Sequence, residues 1–256
     1  MSTDADIHVT RDGHVACVVL SRPPHNFVDA EVMRRLADTL LALDDDHHCR
    51  TIVLASGVGA FCAGADFSGA GQGEVASDPA AFYVHAMKLY RNRKPIVAAV
   101  AGAAIGAGLG LALVADFRVT CAEARFSANF NRLGFHPGFG LSLTLPQLVG
   151  QQQAALLFYT GRRISGTEAA GIGLADELVA RDEVEARAMA LAQEIAASAP
   201  LAVETTRATL RDGLADRIAE VNRRELAIQR DQFRSEDFRE GVAAMAARRA
   251  PVFRRR

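Results

Sequence analysis

Two textures of hydrophobic patterning divide the chain. Up to about Gly150, short apolar runs alternate with amphipathic stretches, and beyond it long Ala/Leu/Glu/Arg stretches dominate. Ile7 to Thr10 and Val15 to Leu20 are β-rich runs around Arg11-Asp12-Gly13, which predicts a hairpin. Asp29 stands where it can cap a helix whose inner face carries Val32, Leu36, Leu40 and Leu43 at helical spacing. Thr51 to Ala55 reads as a short buried strand leading into a Gly/Ala-rich segment over 57–73. A helix over about Pro79 to Tyr90 follows, then a strand at Ile96 to Ala101, a helix within Ala107 to Ala115 and a strand at Phe117 to Thr120. Such alternation predicts an α/β architecture with a sheet buried on both faces. The C-terminal texture predicts helices at Gln151 to Thr160, Arg181 to Ser198, Leu201 to Phe233 and Ser235 to Arg249.

Pro95 to Ala115 contains no charged residue and is long enough to span a bilayer. It opens on proline, however, and carries Gly102, Gly106, Gly108 and Gly110, which are costly inside one continuous helix. Two short buried elements in series, joined by a Gly-rich turn, fit better, and no membrane association is expected.

Composition narrows the class. Of 256 residues, 50% are hydrophobic and 23% charged, which excludes intrinsic disorder and supplies an ample core. The 29 basic and 30 acidic side chains leave a net charge of −1, which argues against a nucleic acid or a membrane surface as partner. Cys17, Cys49, Cys62 and Cys121 are widely spaced, without a CxxC pair or a Cys/His cluster. They read as free thiols in a reducing compartment, with no metal site. Met1 to Val9 lacks the basic and apolar regions of a signal peptide, so a cytoplasmic location is expected.

Two Gly/Ala loops follow buried strands: Phe61-Cys62-Ala63-Gly64-Ala65-Asp66-Phe67, and Gly102 through Gly110. Small side chains leave backbone N–H groups open to a ligand, and a helix N-terminus adds its dipole. Two such groups from separate loops make an oxyanion hole. Close packing of strand on helix asks for the same glycines, so either loop alone leaves both readings open. A dinucleotide-binding fingerprint fails on spacing, because Leu111 stands where Gly106-x-Gly108 would need a small residue.

An ordered set of motifs runs almost end to end: Leu20-Ser21-Arg22-Pro23 with Asn26, the Ala60 to Asp66 segment, Lys94 to Val100, the Gly106 loop and Asp116-Phe117-Arg118. Leu133-Gly134 with Pro137-Gly138, and the ending Arg248-Arg249-x-Pro251-x-Phe253, complete it. In this set the chain resembles the crotonase (enoyl-CoA hydratase/isomerase) superfamily. The resemblance implies a spiral core of strand–strand–helix turns over 1–196, holding the CoA and acyl pocket, and a C-terminal helical trimerisation region over 197–256. It implies a homotrimer or a hexamer, an acyl-CoA thioester as ligand, and no cofactor beyond the CoA moiety. By matching position, the N–H groups of Ala65 and Ala107 would form the oxyanion hole, flanked by Gly106 and Gly108. Ala63, Gly64 and Asp66 would line the adenine and pantetheine arm. Met245 and Arg248 would reach CoA from the tail, where a basic end can also meet a phosphate; Met245 replaces a more usual Phe.

The same resemblance exposes a gap. Hydratases of the family use two glutamates, and this chain has Gly110 and Phe130 in their places; a third carboxylate position, used by isomerases, is Gly138. Hydration needs a base for water and an acid for the α-carbon, so the two-glutamate route is not expected. His136 is the substitute acid/base considered first, because imidazole titrates near neutrality. Asp66, His85, Cys62, Asn129 and Asn131 have weaker claims: packing, a helix face or substrate orientation. His47 and His48 read as a solvated helix end. Phe130, Phe135, Phe139 and Leu109 suggest an apolar acyl pocket. The function read from the sequence is an acyl-CoA-binding protein that stabilises a thioester enolate. The alternatives are another reaction of the superfamily (isomerisation, decarboxylation or thioester hydrolysis) using His136, or a non-catalytic acyl-CoA binder.

Overall fold

A computed structural model describes residues 6–66 and 78–256; Phe67 and the rest of the Gly/Ala-rich segment through Gly73 lie outside the described residues. The expected hairpin forms from β1 (Ile7–Asp12) and β2 (Val15–Leu20), paired antiparallel with Ile7 opposite Leu20. After the short β3 (Phe27–Val28), Asp29 caps α1 (Ala30–Asp45) by accepting the Val32 N–H. The apolar stripe read from the sequence is the buried face of that helix.

β4 (Thr51–Ser56), β5 (Gly64–Ala65), α2 (Ala80–Leu89), β6 (Ile96–Val100), β7 (Ala103–Ile105), α3 (Ala107–Val114), β8 (Phe117–Thr120) and β9 (Arg125–Ser127) continue the alternation. α4 (Leu141–Thr160), β10 (Ile164–Ser165), α5 (Gly166–Gly171), β11 (Glu177–Leu178) and α6 (Val184–Ala196) follow. Among the described residues these strands build a large sheet ordered β1-β2-β4-β6-β8-β11, a sheet of β10-β9-β7 and the pair β3-β5. Apart from β1 on β2, the large sheet is parallel, and its central strands β4 and β6 are continuous apolar runs because both faces are covered.

α3 is buried along its whole length, since it runs inside the molecule rather than on it. That placement explains the uncharged stretch from Pro95 to Ala115, and among the described residues no helix is long and apolar enough to cross a membrane.

The C-terminal helices α7 (Pro200–Leu210), α8 (Leu214–Gln232) and α9 (Glu236–Ala246) correct one expectation. The single helix predicted over Leu201 to Phe233 is two, broken at Gly213, whose φ of +66° a right-handed helix cannot hold. α4 likewise begins ten residues before the predicted start at Gln151, kinking at Gly150 between its two halves. α6 covers the large sheet, α8 packs on α2 and α4, and α9 packs on the short 3₁₀ turn at Asn129–Leu133.

Candidate active site

The two glycine-rich loops meet. Cys62 pairs in parallel with Ala104, its N–H donating to the Ala103 carbonyl and its carbonyl accepting from the Ile105 N–H. Past this bridge, β5 packs directly on α3. Such an approach requires Gly108: a Cβ there would lie 1.9 Å from the Cys62 carbonyl oxygen. Ala107 opens α3 after Gly106 at the N-cap, so its N–H is one of the first-turn donors that a helix leaves without an intrahelical acceptor. The site there is almost enclosed, with Ala107 only 7% exposed. Gly64 is buried and Ala63 and Ala65 are half-buried, while Asp66 is exposed, its N–H donating to the Val28 carbonyl.

The Asn129 carboxamide borders this loop, its Oδ1 lying 3.2 Å from where a Cβ on Gly106 would project. Asn131 is exposed. Of the two asparagines singled out in the sequence, only Asn129 is brought to the loops. The α9 helix lies over the same 3₁₀ turn, with Met245 exposed near its end and Arg248 just beyond in a left-handed conformation. Past Arg248 the tail folds back on α9: Arg249 pairs with Glu240, Arg256 with Glu236, and the Arg254 and Arg255 N–H groups donate to Asp237.

The space in front of Gly110 and of Gly138 is physically filled. A Cβ on Gly110 would fall 2.5 Å from the ring of Phe139, and one on Gly138 would fall 1.9 Å from the Tyr83 Oη. Phe130 is buried edge-on against Phe135, which also packs on Phe233 and Phe238. Of the four apolar residues expected to line one pocket, the three phenylalanines belong to two packing clusters. Phe130 and Phe135 join the aromatic cluster under α8 and α9, whereas Phe139 packs against Phe82 and Tyr90 beside α3.

His136 is half-buried and fully engaged with its surroundings: its N–H donates to Gln232 Oε1, its carbonyl accepts from Gln229 Nε2, and its Nδ1 donates to the Pro137 carbonyl at 2.7 Å. A carbonyl can only accept, so the neutral ring carries its proton on Nδ1 and presents Nε2 as the basic nitrogen. His85 is half-buried on α2, with a buried Nδ1 that has no partner among the described residues. Cys62 is enclosed, and burial pushes its thiol up to about 12, which removes it as a nucleophile at neutral pH. All four cysteines are free and buried, and no group of residues that could hold a metal ion occurs among the described residues.

Sequence reasoning missed Gln229, Gln232 and Glu225, which α8 turns inward. Glu225 is 1% exposed, and its carboxylate accepts from the Gly140 N–H, the Ser142 N–H and hydroxyl, and Asn222 Nδ2. A signal existed: Asn222, Glu225 and Gln229 recur at helical spacing on the face that also carries buried Ile218, so polar residues occupy the inner stripe.

Comparison with known proteins follows this geometry. The family described as "Enoyl-CoA hydratase/isomerase" matches residues 10–256. A carnitinyl-CoA dehydratase of Salmonella typhi is 34% identical over 258 residues, covering 98% of each chain. Among solved structures, an enoyl-CoA hydratase/isomerase from Pseudoalteromonas atlantica T6c superposes with TM-score 0.88 at 30% identity, over 97% of this chain and 100% of that one. A carnitinyl-CoA hydratase from Mycobacterium avium superposes equally well, with TM-score 0.88 and 30% identity over 99% and 100% of the two chains. With its crotonase-type fold, the chain belongs to the enoyl-CoA hydratase/isomerase family.

Proposed function

We propose that this protein binds an acyl-CoA thioester and stabilises its enolate through the backbone N–H groups of Ala65 and Ala107. The observation that supports this reading is the parallel bridge of Cys62 on Ala104, which brings the first loop onto the segment leading into α3, with β5 packed on that helix. Donors fixed in advance and shielded from water act on charge developing in the transition state, and one of them is worth about 3 kcal/mol. Ala63, Gly64 and Asp66 accompany the CoA arm on one side of Ala65, and Met245 and Arg248 approach it from α9. No cofactor beyond CoA is needed.

Relatives named for hydratase and dehydratase activity favour addition or loss of water on an acyl-CoA as the reaction class. The filled space at Gly110 and the buried ring of Phe130 favour a route without the two glutamates, and the filled space at Gly138 disfavours the isomerase carboxylate. His136, with Nε2 as its basic nitrogen, supports the second reading, in which this imidazole moves the proton in hydration or in a related isomerisation, decarboxylation or thioester hydrolysis.

Crotonyl-CoA, longer 2-enoyl-CoAs and 3-enoyl-CoAs offered to purified protein, with binding followed by calorimetry, test the proposal. Ala107→Pro deletes one N–H at a helix position that tolerates proline, so turnover should fall about 10²- to 10³-fold with affinity kept. Unaltered turnover in that variant would overturn the oxyanion assignment. Tight binding without turnover, unchanged in His136→Ala, would identify a binder. Exposed Tyr159, Leu201 and Leu210 support association into a homotrimer or hexamer, and sedimentation velocity should show no monomer at micromolar concentration.

A further inference from the structure

One side chain ties the turn before β3 to the first glycine-rich loop. Asn26 is wholly buried and holds a φ of +53°, a left-handed conformation that asparagine and glycine tolerate. Glycine would suffice for that backbone, so the carboxamide needs a reason of its own. Its Oδ1 accepts the Arg22 N–H at 2.7 Å, across the turn. Its Nδ2 faces four acceptors: the Leu20 carbonyl at 3.0 Å, Ser56 Oγ at 2.8 Å, the Ala60 carbonyl at 3.3 Å and the Phe61 carbonyl at 3.1 Å. Turning the amide over would aim Oδ1 at three carbonyl oxygens, so its orientation is fixed by these partners. Ser56 strengthens the tie, since its hydroxyl accepts from Asn26 and lies 2.6 Å from the Ala60 carbonyl that it donates to.

What this amide holds leads directly to Ala65. Downstream of Asn26 on one segment and of Phe61 on the other, the two run side by side. The Ala63 N–H donates to the His25 carbonyl, Phe27 stands opposite Gly64 and Val28 opposite Ala65, and the Asp66 N–H donates to the Val28 carbonyl. Asn26 sits at the upstream end of that ladder and grips both segments, so a shift at Ala60 and Phe61 passes to Ala65. Buried, hydrogen-bonded polar groups confine their neighbours to one arrangement. A misplacement of about 1 Å in a positioned group can cost about 10²-fold in rate.

We propose that Asn26, together with Ser56, is the positioning residue for the oxyanion donor on Ala65, its carboxamide setting where that N–H stands. The assignment rests on the oxyanion reading of Ala65 and Ala107 given above.

A chromophoric thioester, dimethylaminocinnamoyl-CoA, reads the donors without turnover, because its absorbance moves to longer wavelength as they polarise its carbonyl. Bound to wild type at saturation, with occupancy fixed by calorimetry, it should shift to the red. Asn26→Gly keeps the left-handed turn and removes the amide; it should lose about half of that shift, since one of two donors is displaced. Asp116→Ala, which disturbs the structure at the other end of β6, should keep the full shift. An undiminished shift in folded Asn26→Gly, or an equal loss in Asp116→Ala, would overturn the assignment. Should Asn26→Gly fail to fold by circular dichroism, Ser56→Ala carries the same comparison, and a full shift there overturns it equally. Wild type that binds the thioester without a red shift would instead remove the oxyanion reading itself, and the role of Asn26 with it.

Discussion

Gly110 and Gly138 are small because their neighbours are large. The ring of Phe139 fills the space in front of one and the Tyr83 hydroxyl fills the space in front of the other. Introducing a glutamate by Gly110→Glu therefore overpacks a closed core and buries a charge. It should lower stability by at least about 1–3 kcal/mol in urea unfolding and yield no gain in crotonyl-CoA hydration. Cys62 illustrates a residue whose identity invites chemistry that its surroundings forbid. With the thiol enclosed and its pKa raised to about 12 by desolvation, native protein at pH 8 should resist iodoacetamide at Cys62, and urea-unfolded protein should react, as read by mass spectrometry.

Hydrogen-bonded carboxylates join the C-terminal helices to the core. Asp116, quoted in the sequence only as part of a motif, accepts from the Ile96 N–H and from Arg207 and Arg211 of α7 and the turn after it. Arg207 is 9% exposed, so Asp116→Ala strands a buried guanidinium and should cost about 3–5 kcal/mol in the same urea assay. Glu225 does the corresponding work between α8 and the start of α4. These connections also show where pattern reading stopped. The hairpin and α1 were legible because two apolar β-rich runs around a turn decide the one and a single periodic stripe decides the other. The break at Gly213 was not, since the flanking residues favour helix on both sides and one positive φ decides the outcome. The inward polar stripe of α8 was hidden for a related reason: Asn222, Glu225 and Gln229 look like an exposed face until their partners on another segment are known.

For the molecule as a whole, the basic tail conceals its own neutralisation. Glu240 lies at the surface, yet the Arg249 guanidinium and the Val252 N–H hold its carboxyl down at about 2. A depressed carboxyl pKa contributes stability that is present above the unfolded value near 4.5 and lost as pH falls through about 2. Carboxyl ¹³C NMR should therefore show Glu240 titrating near 2, and Arg249→Ala should move it back toward 4.5.

The sequence by itself determined the α/β alternation, the helical C-terminal texture, the family resemblance and the two loops able to expose amides, because these depend on local periodicity and on side-chain size. It also carries Gly110 and Gly138 at positions where the resemblance implies carboxylates. Tertiary structure decided what stands in their places. The Phe139 ring over Gly110, the Tyr83 hydroxyl over Gly138 and the inward amide of Gln229 join segments from three separate helices and a turn. No local pattern encodes such meetings, since each depends on which surfaces the chain buries against one another when it closes.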